Sequence, residues 1–142
     1  MKRILQTKDF PALIIRLTVG LVFLSEGIQK FLYPETIGSE RFAKLGISPP
    51  VFWASFTGGF EIVCSMLIIL GFLTRLAVLP LLIIMIVAFI TTKWPTLIGN
   101  GFWPMAHDGR IDFAMTMLLI FLFIYGSGRP SIDLNRKTIR EN

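Results

Sequence analysis

The chain has 142 residues, of which 54% are apolar and 16% charged, with a formal charge of +5. Soluble domains carry about a quarter of their residues as charges, and the apolar residues here are bunched into long blocks, so a globule with a polar skin is excluded. The basic residues sit at the termini and at the ends of the apolar blocks, which excludes a nucleic-acid surface and suits anchoring at membrane surfaces.

The N-terminal segment 1–8 is basic, like the start of a signal peptide. Arg16 interrupts the apolar stretch behind it, and Glu26 and Lys30 follow in place of a small-residue cleavage site, so a retained helix is expected. That first helix is predicted over about 11–33, with Asp9 as its cap and Pro11 in its first turn. The polar connection 34–50 has room for a short helix around 39–44. The second helix is predicted over about 51–72, with Glu61 as its single charge. A tight turn at 71–75 leads to a third helix over about 75–92, which contains Pro80. The segment 93–109, rich in Gly, Pro and Trp, is predicted as a loop. A fourth helix over about 110–126 opens with Arg110 and Asp112 and is followed by a polar tail.

Roughly 20 helical residues cross the hydrocarbon of a bilayer. The expectation is therefore an all-α polytopic membrane protein, a four-helix transmembrane bundle in one domain spanning 1–142. A soluble four-helix bundle is the alternative, but 76–90 has no charged residue on any face. With the N-terminus inside, Lys and Arg number eight on the inner side and four on the outer, which places both termini in the cytoplasm. Trp53, Trp94 and Trp103 then fall near the outer surface as an aromatic belt.

Charges inside membrane helices are costly and usually face protein or water. Arg16, Gly20, Phe23, Gly27 and Lys30 share one face of the first helix, and Glu26 at its edge is placed to pair with Lys30 at i, i+4. Counting residues puts Glu26 about 22 Å and Glu61 about 16 Å above the inner ends of their helices. Side chains lean toward the helix N-terminus, so these two carboxylates approach each other and can share a proton, with Lys30 relieving their repulsion. Arg16, about 8 Å from the inner end, is expected to snorkel inward rather than pair with Glu61, and reads foremost as a packing or interface residue.

Glu26, Lys30 and Glu61 are thus candidate catalytic residues. Arg16, Lys93, His107 and Asp112 are candidate substrate-binding residues, the last three from the outer half of the bundle. The same buried ions can equally fix helix register without chemistry, and His107, beside Asp108 and Gly109, can be a solvated or capping residue. Cys64 and His107 are the lone Cys and His, too few by themselves for a disulfide or the usual zinc, haem or iron–sulfur site, so no metal is expected.

The run RLTVGLVFLSEGIQKF over 16–31 resembles the opening helix of the DoxX family, which has an Arg, a Gly four residues later, a His-Gly or Glu-Gly step and a Lys. Gly59-Phe60-Glu61, Gly71 with Thr74-Arg75, and Gly109 with Asp112 extend the resemblance over nearly the whole chain. Glu26 stands where many relatives have His. The resemblance implies a bacterial inner-membrane protein with four helices. For some relatives it implies quinone-dependent oxidation of sulfur compounds or a complex that handles oxidative stress.

Three functions fit. One is a membrane subunit of a quinone-linked redox complex, with no covalent cofactor, a quinone held near Glu26, Lys30 and Glu61, and a soluble or membrane redox subunit as partner. The second is a small proton or solute carrier or channel, acting as a homo-oligomer. The third is a non-catalytic membrane adaptor.

Overall fold

A computed structural model describes residues 10–133. The expected Asp9 cap, the whole basic N-terminal segment 1–8 and the tail beyond 133 lie outside the described residues. The described chain is helical, with no strand in it. Helix α1 is Phe10–Leu32, α2 is Ser39–Lys44 and α3 is Pro50–Leu70. Helix α4 is Thr74–Ala88, a π-helical turn follows at Phe89–Lys93, and α5 is Trp94–Asn100. Helices α6, Phe102–Asp108, and α7, Arg110–Tyr125, complete the chain.

Three stretches among the described residues are long and apolar enough to cross a membrane: Phe10–Leu32, Pro50–Leu70 and Thr74–Asn100. Their outward faces are studded with large exposed apolar side chains such as Leu21, Val63, Met66 and Ile86. Water does not tolerate so much contiguous apolar surface, and lipid does. The protein is an all-α polytopic membrane protein.

The segment 93–109, expected as a loop, is helical instead. Its prolines do not break the helices: Pro95 is the second residue of α5, directly behind the π-helical turn, and Pro104 the third of α6. Gly101, at φ 91°, supplies the break between α5 and α6. The π-helical turn also has a local cause. Thr91 and Thr92 donate their hydroxyls back to the carbonyls of Val87 and Ala88, a pattern that competes with the backbone ladder and bends helices.

The long helices form two intimate pairs, α1 with α3 and α4 with α7. In the first pair the backbones touch. A Cβ on Gly27 would lie 2.8 Å from the carbonyl oxygen of Gly58, and one on Gly20 would lie 2.3 Å from Ile69 Cγ1. Small residues allow this approach, and dispersion and hydrogen bonding then hold helices together in lipid.

The buried core, built on Val19, Phe23, Ile68, Val78, Leu81, Leu119 and Leu122, gathers toward the end that carries the α3–α4 turn. There Gly71 adopts φ 67° and closes α3, with Gly71 and Phe72 donating their N–H groups to the Ile68 and Leu67 carbonyls. Asp133 folds back onto this turn, and its carboxylate accepts the N–H groups of Leu73 and Thr74 at the start of α4. Toward the opposite end the core gives way to a cavity.

Candidate functional site

The cavity has a volume of about 820 Å³ and lies between the two helix pairs. Its walls are mostly apolar, interrupted by a few charges. Lys30 Nζ and Glu61 Oε2 meet across α1 and α3 at 2.7 Å, with side chains 10% and 4% exposed. The sequence explains the meeting. Gly27 stands three residues before Lys30, and Gly58 three before Glu61, so each glycine shares a face with its charged neighbour. Where the two glycines bring the backbones together, the two charges come together one turn away.

Glu26 also lines the cavity and is half-buried, near enough for its charge to act on Glu61. It does not form the expected i, i+4 pair with Lys30, and it has no hydrogen bond or ion pair among the described residues. The physical reason is burial. Glu61 is nearly sealed from solvent, and a buried carboxylate without a counter-ion is far more costly than a half-exposed one. Lys30 therefore turns across to α3.

A second ion pair serves the other helix pair. Lys93 Nζ lies 3.3 Å from Asp112 Oδ2, and both residues line the cavity. The widened backbone of the π-helical turn turns Thr91, Thr92 and Lys93, three consecutive residues, toward the same cavity. A regular helix would spread them over about 200°. Among the described residues, no ion pair bridges the two helix pairs.

Two expected site residues lie elsewhere. His107 is exposed on α6 and does not line the cavity. Its backbone carbonyl accepts a hydrogen bond from Arg110, while its imidazole points to no partner among the described residues. Arg16 is at the opposite end of the bundle, 2% exposed, and does not snorkel. Its Nε donates to the Ile68 carbonyl at 2.9 Å and its Nη2 to Ile69 at 2.6 Å. Its Nη1 donates to the carbonyls of Ser127 at 3.1 Å and Pro130 at 2.7 Å.

The last turn of any helix leaves carbonyls without intrahelical partners, and a guanidinium offers five donors in a rigid fork to satisfy them. Gly71 makes the room, since a Cβ there would lie 2.8 Å from Arg16 Cζ. Arg16 thus ties α1, the end of α3 and the chain after α7 into one knot.

Sequence reasoning missed Arg41 and Asp108, which face the cavity from α2 and α6. No spacing signal marks them, because they arrive by the packing of short helices. It also missed Asp133 as the cap of α4. Among the described residues, no three His, Cys, Asp or Glu side chains come together to hold a metal ion.

The sequence model of the DoxX family matches residues 12–94. The chain is 50% identical over 138 residues to an uncharacterized membrane protein of Mycobacterium tuberculosis, covering 92% of this chain and 85% of that one. It is 29% identical over 120 residues to an uncharacterized protein of Haemophilus influenzae, covering 84% and 85%. No solved structure matches.

Proposed function

The chain belongs to the DoxX family of membrane proteins, and on that premise we propose that it is the quinone-binding membrane subunit of a redox complex. The observation that carries this reading is the cavity of about 820 Å³, apolar along its walls, with Lys30 and Glu61 paired inside it. Small-molecule sites span roughly 300–1,000 Å³ and combine apolar walls with a few convergent polar groups.

A quinone held here would supply two-electron, two-proton chemistry, with the electrons drawn from a partner protein. The residues fit such a group. Lys30 supplies N–H donors for a carbonyl oxygen. Glu61 holds Lys30 in place, and Glu26, without a partner of its own, stands ready to carry a proton. Lys93 and Asp112 form a second polar station in the same cavity. The surrounding Phe and Ile side chains accept an apolar tail and exclude water.

In this reading α7 is the fourth crossing. Its 16 residues span about 24 Å, and the Gly126–Pro130 turn completes the passage. Both termini lie on the cytoplasmic side of the bacterial inner membrane, the side that gathers the larger number of Lys and Arg. The fold positions the site by fastening the bundle at the Arg16 knot and leaving the two pairs apart at the other end.

The test is purification from its native membrane in mild detergent, with bound quinone extracted and measured and co-purifying proteins identified. Bound quinone together with a partner that carries haem, flavin or a redox-active thiol is the expected result. A protein that isolates without quinone and takes up none when it is supplied contradicts the proposal.

A further inference from the structure

Phe56 and Phe60 on α3 and Ile83 and Val87 on α4 line the cavity and are also exposed on the outside of the protein, at 47%, 39%, 61% and 47%. A residue that faces both a cavity and the surroundings marks an opening. The depth of this opening follows from residue counts. Phe60 is ten residues from the start of α3, about 15 Å into the bilayer from that end. Ile83 is nine residues from the start of the antiparallel α4, about 14 Å from the other face. In a hydrocarbon layer of about 30 Å the two lie at the same level, near the middle. Phe56 and Val87 match each other in the same way, at about 9 and 10 Å from the Lys93 end. Four exposed apolar side chains therefore stand in two facing rows at depths that only acyl chains reach.

Pro80 stands on the α4 wall of the cavity. It cannot donate a hydrogen bond to the preceding turn, a usual cause of helix bending. The exposed lining residues of α3 and α4 are all apolar, whereas at the Lys93 end of the cavity α2 and α6 contribute Arg41 and Asp108, both exposed. The cavity thus has a polar mouth and an apolar side.

We propose that the cavity is loaded sideways from the bilayer through a portal between α3 and α4, and that its ligand is a membrane-dissolved amphiphile with an apolar tail and a small hydrogen-bonding head. The tail lies in the portal among Phe56, Phe60, Ile83 and Val87, and the head reaches Lys30 and Glu61. This rests on the reading of the cavity as a ligand site and deepens it, because it fixes the phase from which the ligand comes.

The portal is tested in liposomes with nitroxide labels on Phe60→Cys and Ile83→Cys, each in a Cys64→Ser background, and on Ile86→Cys as an exposed control outside the cavity. Phe56→Cys and Val87→Cys serve as a second pair if the first fails to insert. Collision of each label with oxygen, which concentrates in lipid, is compared with collision with a water-soluble nickel chelate, before and after addition of decyl-ubiquinone. The expected result is that oxygen dominates at both portal positions and that decyl-ubiquinone lowers it about twofold there, because a ligand that buries most of its own surface in the pocket shields the labels beside it, with no change at position 86. Oxygen dominance without any response to decyl-ubiquinone is what position 86 shows and overturns loading through this face. Chelate dominance at 60 and 83 overturns the portal, whatever decyl-ubiquinone does.

Discussion

Lys30 Nζ and Glu61 Oε2 lie 2.7 Å apart on two helices whose backbones meet one turn away at Gly27 and Gly58. The close approach and the ion pair are one device, and each half of it can be tested separately.

Removing one charge leaves the other buried alone. Lys30→Met is expected to destabilise the protein by about 3–5 kcal/mol, and Lys30→Met with Glu61→Met to recover most of that loss, because a buried pair replaced by apolar groups is often neutral. Reversible unfolding in mixed detergent, analysed as a double-mutant cycle, measures both. Glu61→Gln keeps an acceptor oxygen for Lys30, so its cost in stability is expected to be smaller than that of Lys30→Met.

Gly27→Ala tests the helix contact. Its Cβ meets the Gly58 carbonyl at 2.8 Å and Ile62 at 2.9 Å, and backbone cannot yield as a flexible side chain does. Overpacking of this kind costs about 1–3 kcal/mol. Gly59→Ala is the control, since nothing lies within 4 Å of its Cβ position. Thermal unfolding in detergent should lower the midpoint for the first variant and not for the second.

Arg16 holds four carbonyls, two in buried and two in partly buried hydrogen bonds. Arg16→Lys cannot reproduce the planar fork, and each carbonyl left without a donor costs about 1–3 kcal/mol. The lysine variant should therefore be nearly as unstable as Arg16→Met. Whatever folds should retain ligand affinity, because the knot and the cavity are at opposite ends. A loss of affinity in the folded fraction would place Arg16 in the site.

Asp112→Asn breaks an ion pair that is partly exposed, so its effect on stability is expected to be small, within about 1 kcal/mol. His107→Ala should alter stability by no more than about 0.5 kcal/mol and leave ligand content unchanged, since it is exposed and does not line the cavity. The two variants separate on ligand affinity, which Asp112→Asn should weaken.

The helical class was legible because it is written in local composition. Uncharged runs such as 76–90 admit few structures other than a buried or lipid-facing helix. The meeting of α1 with α3 was partly legible, since Gly20, Gly27 and Lys30 announce a contact face. The partner of Lys30 was not, because the choice between Glu26 in the same helix and Glu61 in another depends on relative burial, which appears only after packing. Arg16 was legible as a packing residue that does not pair with Glu61, but its expected inward snorkel fails for the same reason. Snorkelling is the default for an arginine near a membrane surface, and the carbonyls that hold it belong to segments 52 and 111 or more residues away. Segment 93–109 was misread because Pro and Gly were counted as breakers, while Pro95 is the second residue of a helix.

The central claim is that the Lys30–Glu61 pair organises a quinone site within the cavity. Equilibrium binding of decyl-ubiquinone to the purified protein in nanodiscs, compared among the natural sequence, Glu61→Gln and His107→Ala, tests it most directly. The account predicts saturable binding, a loss of about tenfold in affinity for Glu61→Gln, because a neutral amide gives up the charge that fixes the Lys30 donor, a difference of about 1–1.5 kcal/mol, and no change for His107→Ala. Equal affinity in all three proteins, or no saturable binding to any, would contradict it.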